Sequence, residues 1–437
     1  MKMKQKLLRT TMIVAAGLVA CFATPTIQAN TLYVGSCHAG SYATIGAALA
    51  AATPGSIIDV CPGTYAEQLT IAGPGLDNIT LQGIAFTSMG VTKDAAVIVP
   101  PAGGLASNGT IFDTDNGPAS ALPQILVLNA VGVTISHITV DGQSNQSCGS
   151  GLLIGIYYQD SSGTVSNSVA RNQNEGGGNG SQCGWGIAAE SDGNGPAALP
   201  NLTVLNNSVH NFQKNGIVVR GNNSTGPNLT ATGNTVIGVG PVPGNAAQNG
   251  IEVAFGATGS VKANYVADVL YSNNSSSGTG ILFYASAGSP IAASNVVDSA
   301  NIGIGIIYDP NFGGGGSGAT INTNRIGGSL MLEGIDLCGN NEIAEGNIIY
   351  NSTNAGVYLD NTCGGTSGSN ETVKSNTINE ACAGILLGTG ISNTTAPNTY
   401  ANDTYEALSG DACPPAAAGV KENLEGNSTG ERLKSRP

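Results

Sequence analysis

The stretch GPNLTATGNTVIG, Gly226 to Gly238, has relatives elsewhere in the chain: LPNLTVLNNSVHN at Leu199 to Asn211 and TVKSNTINE at Thr372 to Glu380. Each places an asparagine two positions before a valine or isoleucine. The unit occurs at Asn167, Asn207, Asn234, Asn264, Asn295, Asn324, Asn347 and Asn376, in steps of 40, 27, 30, 31, 29, 23 and 29 residues. After each comes a glycine followed by Ile or Val, at Gly186, Gly216, Gly250, Gly280, Gly305, Gly334, Gly356 and Gly384. A repeat of roughly 20 to 50 residues signals a solenoid. Short β-branched runs without helical periodicity select a parallel β-helix, in which each repeat is one coil and equivalent residues stack about 4.8 Å apart. An asparagine suits such a column because it tolerates a left-handed bend, and its amide both donates and accepts, so stacked copies can form a ladder. The Val or Ile two places on returns to the same face and stacks inside. The glycine is expected to admit the next bend.

Earlier coils are read at VTISHITVDG, Val133 to Gly142, with Ser136 in place of the asparagine, and at ITLQGI, Ile79 to Ile84. Before them, Ser41 to Ile71 carries a short Ala-rich helix pattern and then two strands. An open solenoid end exposes apolar interior and unpaired edges, and that helix is the natural cap. The organisation expected is a leader at 1–29, a cap and first strands at 30–72, the solenoid at 73–400, and a partly disordered tail at 401–437.

Composition agrees with an all-β chain. Of 437 residues only 10% are charged, against about a quarter in ordinary domains, while 64 are glycine. MKMKQKLLRTT followed by MIVAAGLVACFA reads as an export signal, with cleavage expected after Ala29. A lipid-anchor reading, LVAC at Leu18 to Cys21 with Cys21 as the modified first residue, stands beside it. Both place the product outside the cytoplasm of a bacterium: secreted, periplasmic or at the cell surface. Cleavage removes Lys2, Lys4, Lys6 and Arg9 and takes the formal charge from −13 to −17. Such an acidic product repels nucleic acid and anionic lipid, and a polyuronate too unless a cation bridges the two.

Eight cysteines remain after Cys21, and roughly a hundred pairings are open. Residues one coil apart lie within disulfide reach if they share a column. Neighbour pairing, Cys37–Cys61, Cys148–Cys183, Cys338–Cys363 and Cys382–Cys413, spans 24, 35, 25 and 31 residues, close to the coil length. Cys338 and Cys363 sit at different offsets from their glycines, which sets that pair apart.

YATIGAALAAATPGSIIDVCPGTYAEQLTI, Tyr42 to Ile71, resembles the opening segment of the pectin lyase-like superfamily of right-handed β-helices. There a Y-x-T-I-x-x-A-L helix leads into a P-G-x-x-I-x-V-x-P-G-x-Y-x-E strand pair. The resemblance extends through the Asn and Gly units to about residue 400 and implies the fold. It also implies a wide set of functions, from polysaccharide lyases and hydrolases to tailspikes and adhesins. The catalytic signatures of pectin methylesterases, polygalacturonases and pectate lyases are absent, and NRI at Asn324 lacks the Lys of an R-I-K motif. No residue carries over as catalytic.

Counting outward positions from each glycine gives two columns. The first runs through Ala188, Val218, Glu252, Leu282, Ile307, Asp336, Tyr358 and Leu386. The second runs through Glu190, Arg220, Ala254, Tyr284, Asp309, Cys338, Asp360 and Gly388. Asp309, Asp336 and Asp360 thus fall on successive coils, with carboxylates roughly 8 Å apart. That separation suits an inverting glycosidase pair, so these three are the catalytic candidates. Calcium held by the same acids is a second reading, and a solvated acidic face is the plain one. Glu252, Tyr284 and Tyr358 join the three acids as candidate saccharide contacts. Arg220, between Glu190 and Glu252, reads as a cross-strand salt bridge; an Arg or Lys base would also suit β-elimination of a uronate. His210 and Lys214 are expected in a solvated turn. Trp185 follows a long insertion, Asn172 to Gly184, expected to loop over the groove. The expectation for function is binding or processing of an extracellular polysaccharide on the outer face of one sheet, as a lyase or hydrolase if an enzyme. A non-catalytic, adhesin-like surface protein is the alternative.

Overall fold

The computed structural model describes residues 30–414 except 85, 89–90, 94–95, 114–116, 145, 177–181, 193–199, 223–225, 242–245, 272–276, 310–311, 313–317, 362–369, 390–393 and 396. The expected leader, its cleavage site, Cys21 and Cys363 lie outside the described residues.

Three long sheets run side by side along the chain axis. Sheet A runs from Thr31–Val34 to Thr394–Thr395, sheet B from Gly63–Ala66 to Thr399–Ala401, and sheet C from Leu69–Ala72 to Tyr405–Ser409. Along these three sheets every pairing between coils is parallel; the hairpin strand Gly109–Asp113 is an antiparallel addition to sheet C. This is the right-handed parallel β-helix that the opening segment implies. A strand of sheet C continues past residue 400, so the described solenoid runs to Ser409.

The interior is one continuous column of Ile, Val and Leu reaching from Leu32 to Ile385. Alternate residues of each strand face it: in Asn228–Thr232, Leu229 and Ala231 are buried while Asn228 and Thr230 are exposed. The helix Ile45–Ala51 covers the N-terminal end, burying Ile45, Ala48 and Leu49. Thr44 caps it by accepting from the Ala47 amide at 3.2 Å, and the Glu67 carboxylate accepts from the Ile45 and Gly46 amides at 2.9 Å each.

Sheets A and B meet at a two-residue corner, and there the asparagine ladder forms. Asn207, Asn234, Asn264, Asn295, Asn324, Asn347 and Asn376 each donate backbone and side-chain N–H to the carbonyl of the next ladder asparagine, at 2.9–3.0 Å. Three positions differ from the expected column. The ladder ends on Asn398, in APNTY, which lacks the Val or Ile of the unit. It begins at Ser168, whose amide donates to Asn207, and Asn167 is not a member. Val169 pairs with Ser208, so Asn167 sits one place early, at φ 48°. Nor does Ser136 stand in the column: Ile138 does, one coil before Ser168.

The ladder asparagines do not themselves make the bend. The left-handed residue is the one before, including Asn206, Ala263, Ser294, Thr323 and Ser375 at φ 54–56°. Ala, Ser and Thr are costly there, and the fully bonded amide beside each offsets that cost. The glycine column likewise has another reason than a bend. A Cβ on Gly216 would stand 2.5 Å from both the Gly250 carbonyl and Val236 Cγ1, so the column is set by space between sheets. Its fifth member is Gly303, because Ile304 pairs with Ile281 and Gly305 with Leu282.

Three of the expected disulfides are formed: Cys37–Cys61, Cys148–Cys183 and Cys382–Cys413. Cys338 is also disulfide-bonded.

Candidate functional site: a charged cavity on the outer face of sheet C

Over its middle coils sheet C is buried on both faces, while its end strands Leu69–Ala72 and Tyr405–Ser409 keep exposed residues. Five strands, Trp185–Glu190, Asn249–Ala254, Thr279–Tyr284, Ile302–Ile307 and Glu333–Cys338, are buried at every position; in Asn215–Arg220 only Arg220 is partly exposed. The outward columns therefore do not form the open groove expected from alternation. The segments between strands pack over them. Ile111 of the hairpin strand Gly109–Asp113 sits among Tyr157, Trp185, Ala188 and Val218, and the Phe112 amide donates to Glu190 at 2.9 Å.

One cavity of about 460 Å³ opens in this cover, lined among others by Trp185, Lys214, Asn215, Arg220, Glu252 and Phe255. Each reaches it for a local reason. Trp185, Arg220 and Glu252 are outward residues on three consecutive strands of sheet C, in the register Trp185–Asn215 and Val218–Glu252. Arg220 lies between two rings, its guanidinium carbon 5.5 Å from the Trp185 centroid and 4.6 Å from that of Phe255. Its Nη1 is 3.4 Å from Glu190, one of the two acids between which the sequence reading placed its cross-strand salt bridge. Glu190 also accepts from the Tyr157 hydroxyl at 3.0 Å. Burial and the Glu190 charge push that phenol well above its usual range. Glu252 accepts from Asn249 Nδ2 at 2.8 Å.

Lys214 is one of the residues the sequence reading misplaced. It is 5% exposed, not solvated, and its Nζ donates to the Ala247 carbonyl at 2.7 Å. Burial pushes the ammonium down from 10.5 to about 8; Glu252 holds it up in part, and Arg220 depresses it further. A lysine titrating there is a ready proton acceptor just above neutral pH. Three buried polar atoms of the lining have no protein partner: Trp185 Nε1, Asn215 Oδ1 and Arg220 Nε. Buried polar atoms are nearly always bonded. Two donors and an acceptor on residues that line one cavity suit a ligand rich in hydroxyl or carboxylate oxygens.

The other candidate residues lie elsewhere. Tyr284 belongs to an aromatic cluster with Phe255 and Phe312, and its hydroxyl donates to Asp309 at 2.6 Å. Asp309 is not in the second outward column. With Gly303 as the column glycine, Ile307 pairs with Cys338 there, and Asp309 falls beyond the strand. Asp336, Tyr358 and Asp360 are completely buried and face no solvent. The three aspartates do not converge on an ion. Among the described residues, only Cys148, Glu175 and Cys183 bring three such donor atoms within 4.8 Å of one another, and the two sulfurs are bonded to each other. Of the candidate contacts, Glu252 alone lines the cavity.

Fold and cavity together define the class: a parallel β-helix protein with a partly enclosed, charged and aromatic-lined site on one sheet face. No protein-family model and no curated protein matches the chain. Solved structures do. It is similar to the A-module of the mannuronan C-5 epimerase AlgE4 of Azotobacter vinelandii, with TM-score 0.52 and 14% identity over 81% of this chain and 88% of that one. It is also similar to a GH136 lacto-N-biosidase from Eubacterium ramulus, with TM-score 0.56 and 10% identity over 85% and 68%. A third is the alginate lyase AlyF-OU02 in complex with G6, with TM-score 0.50 and 13% identity over 89% and 80%. At these identities the likeness shows the fold.

Proposed function

We propose that the chain is an exported protein that binds and processes an extracellular polysaccharide in the cavity above sheet C, with an acidic sugar as the unit seated there. The observation that carries this is Lys214, buried beside Arg220 and Glu252 at the wall of a cavity where Trp185 Nε1, Asn215 Oδ1 and Arg220 Nε have no hydrogen-bond partner. Burying a lysine costs stability, and a purely structural wall has no use for it. Mannuronan and alginate, named in two of the similar structures, are polymers of acidic sugars, and lacto-N-biosidase in a third is a saccharide-processing enzyme. These names support the substrate class without deciding among the reactions.

The set favours proton abstraction. Arg220 Nε and Trp185 Nε1 donate to carboxylate and hydroxyl oxygens, while Asn215 Oδ1 and Glu252 accept from hydroxyls. Neutral Lys214 takes the proton from the carbon beside the sugar carboxylate. The electron pair left behind forms a double bond and expels the glycosidic oxygen, which takes a proton from water as it leaves; alternatively, a proton delivered from water to the opposite face of the same carbon inverts it. The acidic surface repels a polyanion in general, and the two cations at the cavity set where it is admitted.

The test is incubation of the full chain with polyuronates and neutral glycans. Absorbance at about 235 nm reports the unsaturated product of elimination, reducing ends report hydrolysis, and deuterium uptake from heavy water reports epimerisation. Turnover of a polyuronate is expected, and Lys214→Met should lose about 100-fold or more in kcat while keeping its fold. Silence across the panel, with no glycan binding, overturns the reading.

A further inference from the structure

A second group of acids lies several coils away, towards the C-terminal end. Glu342 precedes the sheet A strand Ile343–Glu345, and Glu371 precedes the next one, Thr372–Lys374. Ile343 pairs with Thr372, and the Thr372 amide donates to the Glu342 carbonyl at 2.8 Å, so the two glutamates stack in one column. Asp336, in the sheet C strand Glu333–Cys338, is near enough for its charge to act on Glu342. All three are completely buried. The residue before Glu342 in the column is Ala319, also buried and too small to offer a partner.

The charges acting on Glu342 are those of Glu371 and Asp336, both negative, and with burial they push its carboxyl well above the usual range. Neither of its oxygens has a hydrogen-bond partner. A fully buried carboxyl beside two like charges, with both oxygens unbonded, suits a bound cation.

We propose that Asp336, Glu342 and Glu371 form a binding site for a hard divalent cation of the calcium type. Every donor is a carboxylate oxygen, the ligand set of Ca²⁺ rather than of zinc, which prefers nitrogen and sulfur. Ca²⁺ tolerates irregular shells completed by backbone carbonyls and water, whereas Mg²⁺ demands near-octahedral geometry. The three carboxylates are spread rather than gathered, as like charges are, so the side chains must rotate inward around the ion. This differs from the Asp309, Asp336 and Asp360 set read from the sequence: only Asp336 is shared. It is independent of the proposal for the cavity above sheet C, and its readout needs no activity.

The test uses the full chain treated with EDTA and dialysed at pH 7.5. Calorimetric titration with CaCl₂ should show a binding isotherm, and the melting temperature should climb with the logarithm of free Ca²⁺ above Kd. MgCl₂ should do less. Glu342→Gln and Glu371→Gln, made separately in case one fails to fold, should each weaken binding about tenfold or more. Glu342→Gln should also melt no lower than the parent in EDTA, since it removes a buried charge. Absence of binding heat and of any melting shift up to millimolar Ca²⁺ would overturn the proposal, as would binding unchanged in both variants.

Discussion

Asn264→Leu should lower the unfolding free energy by about 3–6 kcal/mol. The side chain is 2% exposed and sits mid-ladder. Its carbonyl accepts from the Asn234 backbone and side-chain N–H at 2.9 Å each, and its Nδ2 lies 3.1 Å from the Ala231 carbonyl and 3.0 Å from Asn295 Oδ1. Leucine leaves two buried donors of Asn234 and one buried carbonyl unsatisfied, at about 1–3 kcal/mol for each orphaned group. Asn264→Ser should cost roughly half as much. Ser168 shows why: at the ladder's start its hydroxyl accepts from the Ile138 amide at 3.3 Å and donates to the Ser166 carbonyl at 3.0 Å. Denaturant unfolding of the two variants measures both values. Equal midpoints for Asn264→Leu and the parent would rule out the stacked amides as a source of stability.

Lys214→Met should do the opposite at neutral pH. A folded-state value of about 8 against 10.5 corresponds to about 3 kcal/mol of strain on the charged form. Below about pH 8 the ammonium is charged in both folded and unfolded chains, and the whole cost is present. Between about 8 and 10.5 the unfolded chain holds the proton and the folded chain does not, so stability of the parent rises with pH. Above that range the amine is neutral in both and the cost is gone. Lys214→Met should therefore gain about 2–3 kcal/mol at pH 7, less a little for the abandoned Ala247 carbonyl, and lose the gain towards pH 10.5. Urea unfolding at pH 7 and pH 10 tests the sign. A variant that is more stable but inert would mark Lys214 as a residue kept for function. A variant less stable at pH 7 would mean that the ammonium is stabilised where it stands.

The solenoid was legible because its rule is repeated: a period near 30 residues, an amide every coil and a glycine every coil survive a slip at any single position. The errors arose where one coil offered two matches. SNSV can be aligned by Asn167 or by Ser168, and GIGI by Gly303 or by Gly305. Only the pairing of Val169 with Ser208 and of Gly305 with Leu282 decides between them. The site was less legible. Alternation says that Glu252 and Asp336 leave the core, but not that other segments then cover them. Lys214 was read as solvated because it precedes a strand in a polar stretch, although a lysine directly before the Asn-Gly-Ile of a coil was a usable signal in a chain with 15 basic residues. Glu342 and Glu371 lie outside every repeated column that was counted, and each looks like an ordinary loop acid until its burial is known.

The two-residue corner between sheets A and B has a consequence for how this chain tolerates change. Along the ladder, successive amides are separated by 39, 27, 30, 31, 29, 23, 29 and 22 residues. Every difference in length is taken up between the other strands, and every coil returns to the same column. In an ordinary parallel sheet a one-residue slip would send each following side chain to the wrong face. Here an insertion is forgotten within a single turn, because the next amide restarts the count. Loops over sheet C can thus lengthen, shorten or exchange while the barrel beneath keeps phase, and the surface that meets a ligand can diverge without negotiating with the part that folds.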